Sequence, residues 1–332
     1  MKRFLYNVAT LGRFSITYFA ILSTCSRVIS NTGFADALVN SPQSPSFGIP
    51  VAVRRIPFER LSSSLHMKSM ASPPYPVRIA VMGGGNFGLA MASICARKGY
   101  PTTVLVRSED IAEAINTNHT HPRYMQGLQL NPRLRATTKP EECLPDATYI
   151  IHAVPCQYSR IFLEGVKDNI PTGTPILSVS KGIETSSLGF MKDVLKAVLG
   201  EDRPLAFLSG PSFAQEIIEG VATAVVIASD DLDLAQDLAF LLSDGNFKCF
   251  TSKDVIGVEI GGAVKNVIAL GAGMCEGLGL GTNALSGLVT RGCNEMRRLG
   301  LTFGARPSTI AGLSGEKEFL IYLAYFISHC EY

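Results

Sequence analysis

Gly83, Gly85 and Gly88 follow the apolar run Val77-Arg78-Ile79-Ala80-Val81-Met82 and lead into a small-residue helix over residues 89–98. Glycines at that spacing suit a dinucleotide pyrophosphate. Gly83 permits a tight turn, Gly85 lets backbone N–H groups approach the phosphates, and Gly88 allows the helix to pack closely with its positive end toward the anion. The strand before the motif, the C-cap candidate Gly99 and a second strand over residues 102–106 supply the context that a bare Gly-x-Gly-x-x-Gly lacks. Asn86 and Phe87 sit inside the turn.

Other positions could complete a reactive site. Arg107 ends the second strand, where NAD-selective folds usually carry an acid for the ribose hydroxyls. An arginine there tolerates or prefers a 2′-phosphate; the plain alternative is a solvated side chain beside the adenine. NADPH therefore suits the chain at least as well as NADH. Ala153-Val154-Pro155 leaves the carboxyl end of a strand, the edge at which open parallel sheets bind ligands, so Pro155 is expected to face the cofactor. Ser178-Val179-Ser180-Lys181-Gly182 brings Lys181 out at that edge. Ser209-Gly210-Pro211-Ser212-Phe213-Ala214 forms a turn whose N–H groups and Ser212 hydroxyl could meet a substrate. Each stretch alone could be ordinary turn punctuation; three at one edge point to a site.

Lys265 stands among small residues, with Gly261, Gly262, Ala269 and Ala272 on its own helical face. A helix-interior glycine costs about 1 kcal/mol relative to alanine, so a close approach is expected there. Two outcomes are open. Lys265 snorkels to solvent from a tightly packed helix, or it is partly desolvated beside the cofactor cleft, with its pKa lowered toward the range of a general acid or base.

The elements that must position these residues alternate. Strands are expected over residues 77–82, 102–106, 134–137, 149–154, 176–180, 205–209 and 224–228, with helices between them that include 111–118 and 186–199. That alternation implies a doubly wound, mostly parallel α/β sheet of Rossmann-like type. From about residue 254 strand signals stop, and helices over 254–275 and 283–299 open an all-helical second domain. The expected division is 1–74 as a targeting or disordered segment, 75–253 as the dinucleotide-binding domain, 254–315 as a partial helical substrate domain and 316–332 as a tail. A cleft is expected between the sheet and the helices.

Composition narrows the classes. Residues 1–70 hold eight Lys and Arg against two acids, which leaves 22 basic and 26 acidic residues in the remainder. No basic surface there argues for nucleic acid. The same stretch is Ser-rich and acid-poor, as in an organelle transit peptide. A plastid is the expected destination, and mitochondrion, secretory pathway and cytoplasm are the alternatives. A secretory signal is the rival because an apolar run spans residues 14–22, although no convincing cleavage site follows it. No segment reaches the roughly 20 apolar residues needed to span a bilayer, so stable membrane insertion is not expected. Eight scattered cysteines without paired spacing fit a reduced compartment and no bound metal.

Taken in order, the glycine turn, His121-Pro122-Arg123-Tyr124, Ala153-Val154-Pro155-Cys156-Gln157, Ser180-Lys181-Gly182, Gly210-Pro211-Ser212-Phe213-Ala214-Gln215-Glu216 and Gly261-Gly262-Ala263-Val264-Lys265-Asn266 resemble the NAD(P)-dependent glycerol-3-phosphate dehydrogenases, bacterial and plastid branch. The resemblance implies reversible reduction of dihydroxyacetone phosphate to sn-glycerol 3-phosphate, with NADPH or NADH as cofactor. It further implies that Asn86, Phe87, Arg107 and Ala214 contact cofactor, Lys181 both ligands, and Gly210 and Ser212 substrate. Lys265 would be the proton donor and acceptor, with Asn266 beside it at the substrate; a homodimer is among the assemblies open to such an enzyme. After Gly315 the resemblance breaks: a Gly-Asp step and an Arg-Asn segment that would grip the substrate phosphate are expected, and Glu316 to Ile327 read otherwise, with Glu318 in the aspartate's register by chance. On that reading substrate affinity suffers, apolar helix faces are left uncovered, and a catalytically impaired nucleotide-binding isoform is the alternative function.

Overall fold

A computed structural model describes residues 76–315; the N-terminal segment and the tail expected at 316–332 lie outside the described residues. Strands β1 (Ile79–Met82), β2 (Thr102–Leu105), β3 (Leu134–Thr137), β4 (Tyr149–His152), β5 (Ile176–Ser178), β6 (Leu205–Ser209), β7 (Thr223–Ser229) and β8 (Phe247–Ser252) form one sheet in the order β3-β2-β1-β4-β5-β6-β7-β8. The first six run parallel; β7 is antiparallel to β6, and β8 is parallel to β7. Reversal of strand order between β1 and β4 makes a switch point, where a crevice opens at the carboxyl edge.

Near-continuous apolar strands such as Ile79–Met82 and Leu205–Ser209 are buried on both faces, as a sheet covered by helices on each side requires. One face is packed by α1 (Asn86–Arg97) and α7 (Leu232–Leu242), and the other by α4 (Cys156–Val166) and α5 (Met191–Leu199). Shorter helices are α2 (Glu109–Glu113), α3 (Pro140–Cys143) and α6 (Ala214–Glu219). Beyond the sheet come α8 (Val255–Gly277), α9 (Gly281–Thr302) and α10 (Pro307–Ile310), around a separate core that includes Ile268, Ala272, Val289 and Ile310. The doubly wound sheet and the helical region after it are both as expected.

Three local differences have physical causes. The helix expected from residue 186 begins at Met191, because Leu188 takes a left-handed φ of 58° and Glu184 N–H donates to the Gly189 carbonyl, closing a turn first. Phe190 N–H then donates to Asp193 Oδ2 at 2.9 Å, which starts the helix. Strand β8 was not expected: its Phe247-Lys248-Cys249-Phe250-Thr251-Ser252 mixes exposed and buried positions, a weak pattern typical of an edge. Third, α8 is long and apolar enough to cross a membrane by length and composition, which a search for an unbroken apolar run overlooks because Glu259, Lys265, Asn266 and several glycines interrupt it. Half of that apolar window is buried inside the protein, where α8 packs against β6, β7 and α9, so it serves as a core helix. Its other flank exposes Val267, Leu270 and Met274, with Leu278 just past its end.

Candidate active site

Strand register brings the chemical residues to one edge. Met82 lies opposite both Leu105 and His152, and His152 opposite Ser178, so β1, β2, β4 and β5 end side by side. The glycine turn, Arg107, the 153–155 loop and the 179–182 loop leave from neighbouring points. Gly210 follows β6 on the next strand over.

Each glycine in the turn meets its own constraint. Gly83 has φ 107°, and a Cβ there would stand 2.9 Å from the Ala153 carbonyl oxygen. A Cβ at Gly88 would run into the Gly83 carbonyl oxygen, so α1 crosses β1 as closely as backbone allows. Gly85 faces open space and caps α1 without a side-chain hydrogen bond, leaving the first N–H groups of the helix directed outward. This cradle fits a pyrophosphate. Asn86 is exposed at the rim, Phe87 is half-buried against the core, and Arg107 is exposed. Pro155 is exposed at the start of α4, and Ala214 packs against the same core as Phe87 at the start of α6.

Lys181 is held from both sides of its loop. Ser180 Oγ donates to the Val154 carbonyl at 2.5 Å, tying the loop to the cofactor side. On the other flank Gln157 Nε2 donates to the Ile183 carbonyl, and Arg160 forms a fork onto Glu184 at 3.0 and 2.8 Å. The Lys181 ammonium reaches 6.0 Å from the Phe87 ring centroid, which links the substrate loop to the glycine turn.

Lys265 is 2% exposed, which excludes the snorkelling outcome. Two glycines on its face explain how it gets there. A Cβ at Gly262 would lie 2.9 Å from Ser209 Oγ and 3.6 Å from the Lys181 methylenes, and a Cβ at Gly261 would meet the Ser314 carbonyl. The helix thus presses Lys265 toward Lys181. Burial, and secondly the adjacent positive charge of Lys181, push the Lys265 amine down to about 5.

Not every expected residue converges. Asn266 lies exposed on a different flank of α8 from Lys265. Ser212 is buried, and its hydroxyl donates back to the Gly210 carbonyl at 3.0 Å, so it shapes its own turn. Gly210 has φ 153° and sits against Val225, a position closed to a side chain. Sequence reasoning missed Glu259, whose Oε1 accepts Lys192 N–H at 2.9 Å and whose carboxyl burial pushes up to about 8. It also missed His152 and the Ser180 hydroxyl. Ser180, Lys181, Ser209, Glu259 and Gly262 line one small cavity. No group of three or more metal-ligating side chains is found among the described residues.

Fold and site define a nicotinamide-dependent dehydrogenase of the doubly wound class. Models of the NAD-dependent glycerol-3-phosphate dehydrogenase N-terminus and C-terminus match residues 78–235 and 254–320, so the similarity runs on past Gly315, where the motif reading had ended it. A glycerol-3-phosphate dehydrogenase designated for NAD(P)+ from Nitratidesulfovibrio vulgaris is 45% identical over 240 residues, 72% of this chain and 73% of the relative. The chloroplastic NAD(+) enzyme 2 of Arabidopsis thaliana is 42% identical over 276 residues, covering 81% of this chain and 66% of its own. Among solved structures, glycerol-3-phosphate dehydrogenase from Coxiella burnetii superposes with a TM-score of 0.71 at 32% identity, over 75% of this chain and 76% of that one. The chain belongs to the NAD-dependent glycerol-3-phosphate dehydrogenase family.

Proposed function

We propose that this chain reduces dihydroxyacetone phosphate reversibly to sn-glycerol 3-phosphate with NADPH or NADH. The observation that carries the mechanism is Lys265, buried and depressed in pKa, beside Lys181 at the sheet edge that holds the glycine cradle. Gly83, Gly85, Gly88, Asn86, Phe87, Pro155 and Ala214 hold the cofactor, and Arg107 meets a 2′-phosphate. Bound there, the cofactor supplies the hydride. As charge grows on the C2 oxygen, protonated Lys265 gives up its proton to it, and Lys181 stabilises the developing charge. In the reverse direction neutral Lys265 takes the proton from the C2 hydroxyl. Gly210 and Ser212 form the turn that receives substrate, and Asn266, exposed on another flank of α8, would reach substrate only from the helical side. A two-lysine site suits this substrate: its phosphate charge raises the Lys265 pKa, so the amine is protonated when a carbonyl is there to be reduced.

The division at residue 253 separates the cofactor half from the helical half of the site. Plastid import by the N-terminal segment, supply of glycerol 3-phosphate to glycerolipid synthesis and assembly as a homodimer complete the reading; the chloroplastic designation of the Arabidopsis relative supports the first. Turnover is tested by NADPH oxidation on addition of dihydroxyacetone phosphate. Binding of NADPH with neither heat nor turnover on adding substrate would favour the nucleotide-binding alternative.

A further inference from the structure

His152 is the last residue of β4 and fully buried, between Met82 and Ser178 on the same face of the sheet. Its Nδ1 lies 3.3 Å from Ser180 Oγ and 3.4 Å from Ser178 Oγ, and its Nε2 has no hydrogen-bond partner among the described residues. A leucine or phenylalanine would fill that space without an orphaned buried nitrogen, whose desolvation costs about 1–3 kcal/mol. The imidazole must therefore do something at Nδ1.

What it does follows from proton count. Ser180 has a single hydroxyl proton, and its nearest acceptor is the Val154 carbonyl at 2.5 Å, a group that can only accept. With that proton committed to Val154, a hydrogen bond between His152 and Ser180 requires the hydrogen on Nδ1, the tautomer that leaves Nε2 bare. Burial keeps the ring neutral by lowering its pKa to about 4. Donation from Nδ1 orients the Ser180 lone pairs and leaves its hydrogen aimed at Val154.

We propose that His152 is a positioning residue for Lys181, acting through Ser180. Ser180 precedes Lys181, and Val154 lies between Ala153, which touches Gly83, and Pro155. The chain His152–Ser180–Val154 therefore sets the distance between the lysine loop and the cofactor loop. In a hydride transfer that distance controls the rate, because a misplacement of about 1 Å can cost on the order of 100-fold.

The inference rests on the proposed reduction for its kinetic readout only, so the test carries a second one. His152→Leu, Ser180→Ala, the double variant and His152→Asn, whose amide N–H can replace Nδ1–H, are compared with wild type. The measurements are kcat, KM for each substrate, the isotope effect with C4-deuterated NADPH, and amide exchange over residues 180–184. Both single variants are expected to slow kcat by roughly 10- to 100-fold. KM for NADPH should stay within about twofold. The isotope effect and the amide exchange should rise. The double variant should be no slower than the worse single one, because both act through one link, and His152→Asn should recover most of the rate. Wild-type kcat and exchange in His152→Leu, or multiplied losses in the double variant, would overturn the role. If His152→Leu does not fold, Ser180→Ala decides by the same two readouts. If the wild type itself does not turn over, the proposed reduction fails while the exchange data still judge the clamp.

Discussion

Lys265 lowers the stability of the fold that holds it. Its folded pKa lies below the ordinary 10.5, so between about pH 5 and that value the unfolded chain binds more protons than the native one. Stability contributed at this site therefore rises with pH across that interval, and the penalty is greatest at its acid end. Lys265→Met should accordingly raise Tm at pH 7 by at least about 2–4 °C. The gain should shrink toward pH 10, while turnover falls by roughly 100- to 10,000-fold. Thermal scans at three pH values alongside kcat check this; an unchanged Tm would mean that the amine is not desolvated. Substrate binding should also draw in up to about one proton at pH 7, seen as a binding enthalpy that varies with the ionisation enthalpy of the buffer. The close packing around Lys265 was legible from Gly261, Gly262, Ala269 and Ala272, since only a close approach justifies glycine there. His152 and Glu259 were not legible. A lone histidine in an apolar strand becomes informative only when register sets Ser178 beside it.

At the element scale, strand ends and glycine contacts do the positioning. Gly88 and Gly85 belong to one motif but have different surroundings: the first abuts the Gly83 carbonyl, whereas the second faces open space with φ −77°. Gly88→Ala should lower Tm and weaken NADPH binding by about tenfold or more, because α1 must retreat from β1. Gly85→Ala should leave Tm within about 1–2 °C and act on cofactor affinity alone. Equal Tm losses in the two variants would contradict this division of labour. The parallel core was readable because its strands are apolar throughout and flanked by helical stretches. What periodicity could not supply was the 183–190 turn, where Leu188 adopts a left-handed backbone, and β8, whose pairing with β7 comes from tertiary contact.

Over the whole molecule, a dinucleotide cradle and a two-lysine edge meet where the sheet passes into helices. Gly262 brings α8 against Ser209 and Lys181, which makes α8 one wall of the candidate site. The N-terminal segment belongs to a different question, that of address. A fluorescent fusion of residues 1–75 should accumulate in plastids, and a secretory pattern would contradict that. Arg107, exposed beyond β2, predicts a KM for NADPH no higher than that for NADH, and Arg107→Asp should shift the ratio toward NADH. The most direct test of the central claim is NADPH oxidation by the purified chain with dihydroxyacetone phosphate, run beside Lys265→Ala. Substrate-dependent oxidation by the wild type, lost in Lys265→Ala while NADPH still binds, is the predicted result. No oxidation by the wild type, or an equal rate in the variant, would contradict it.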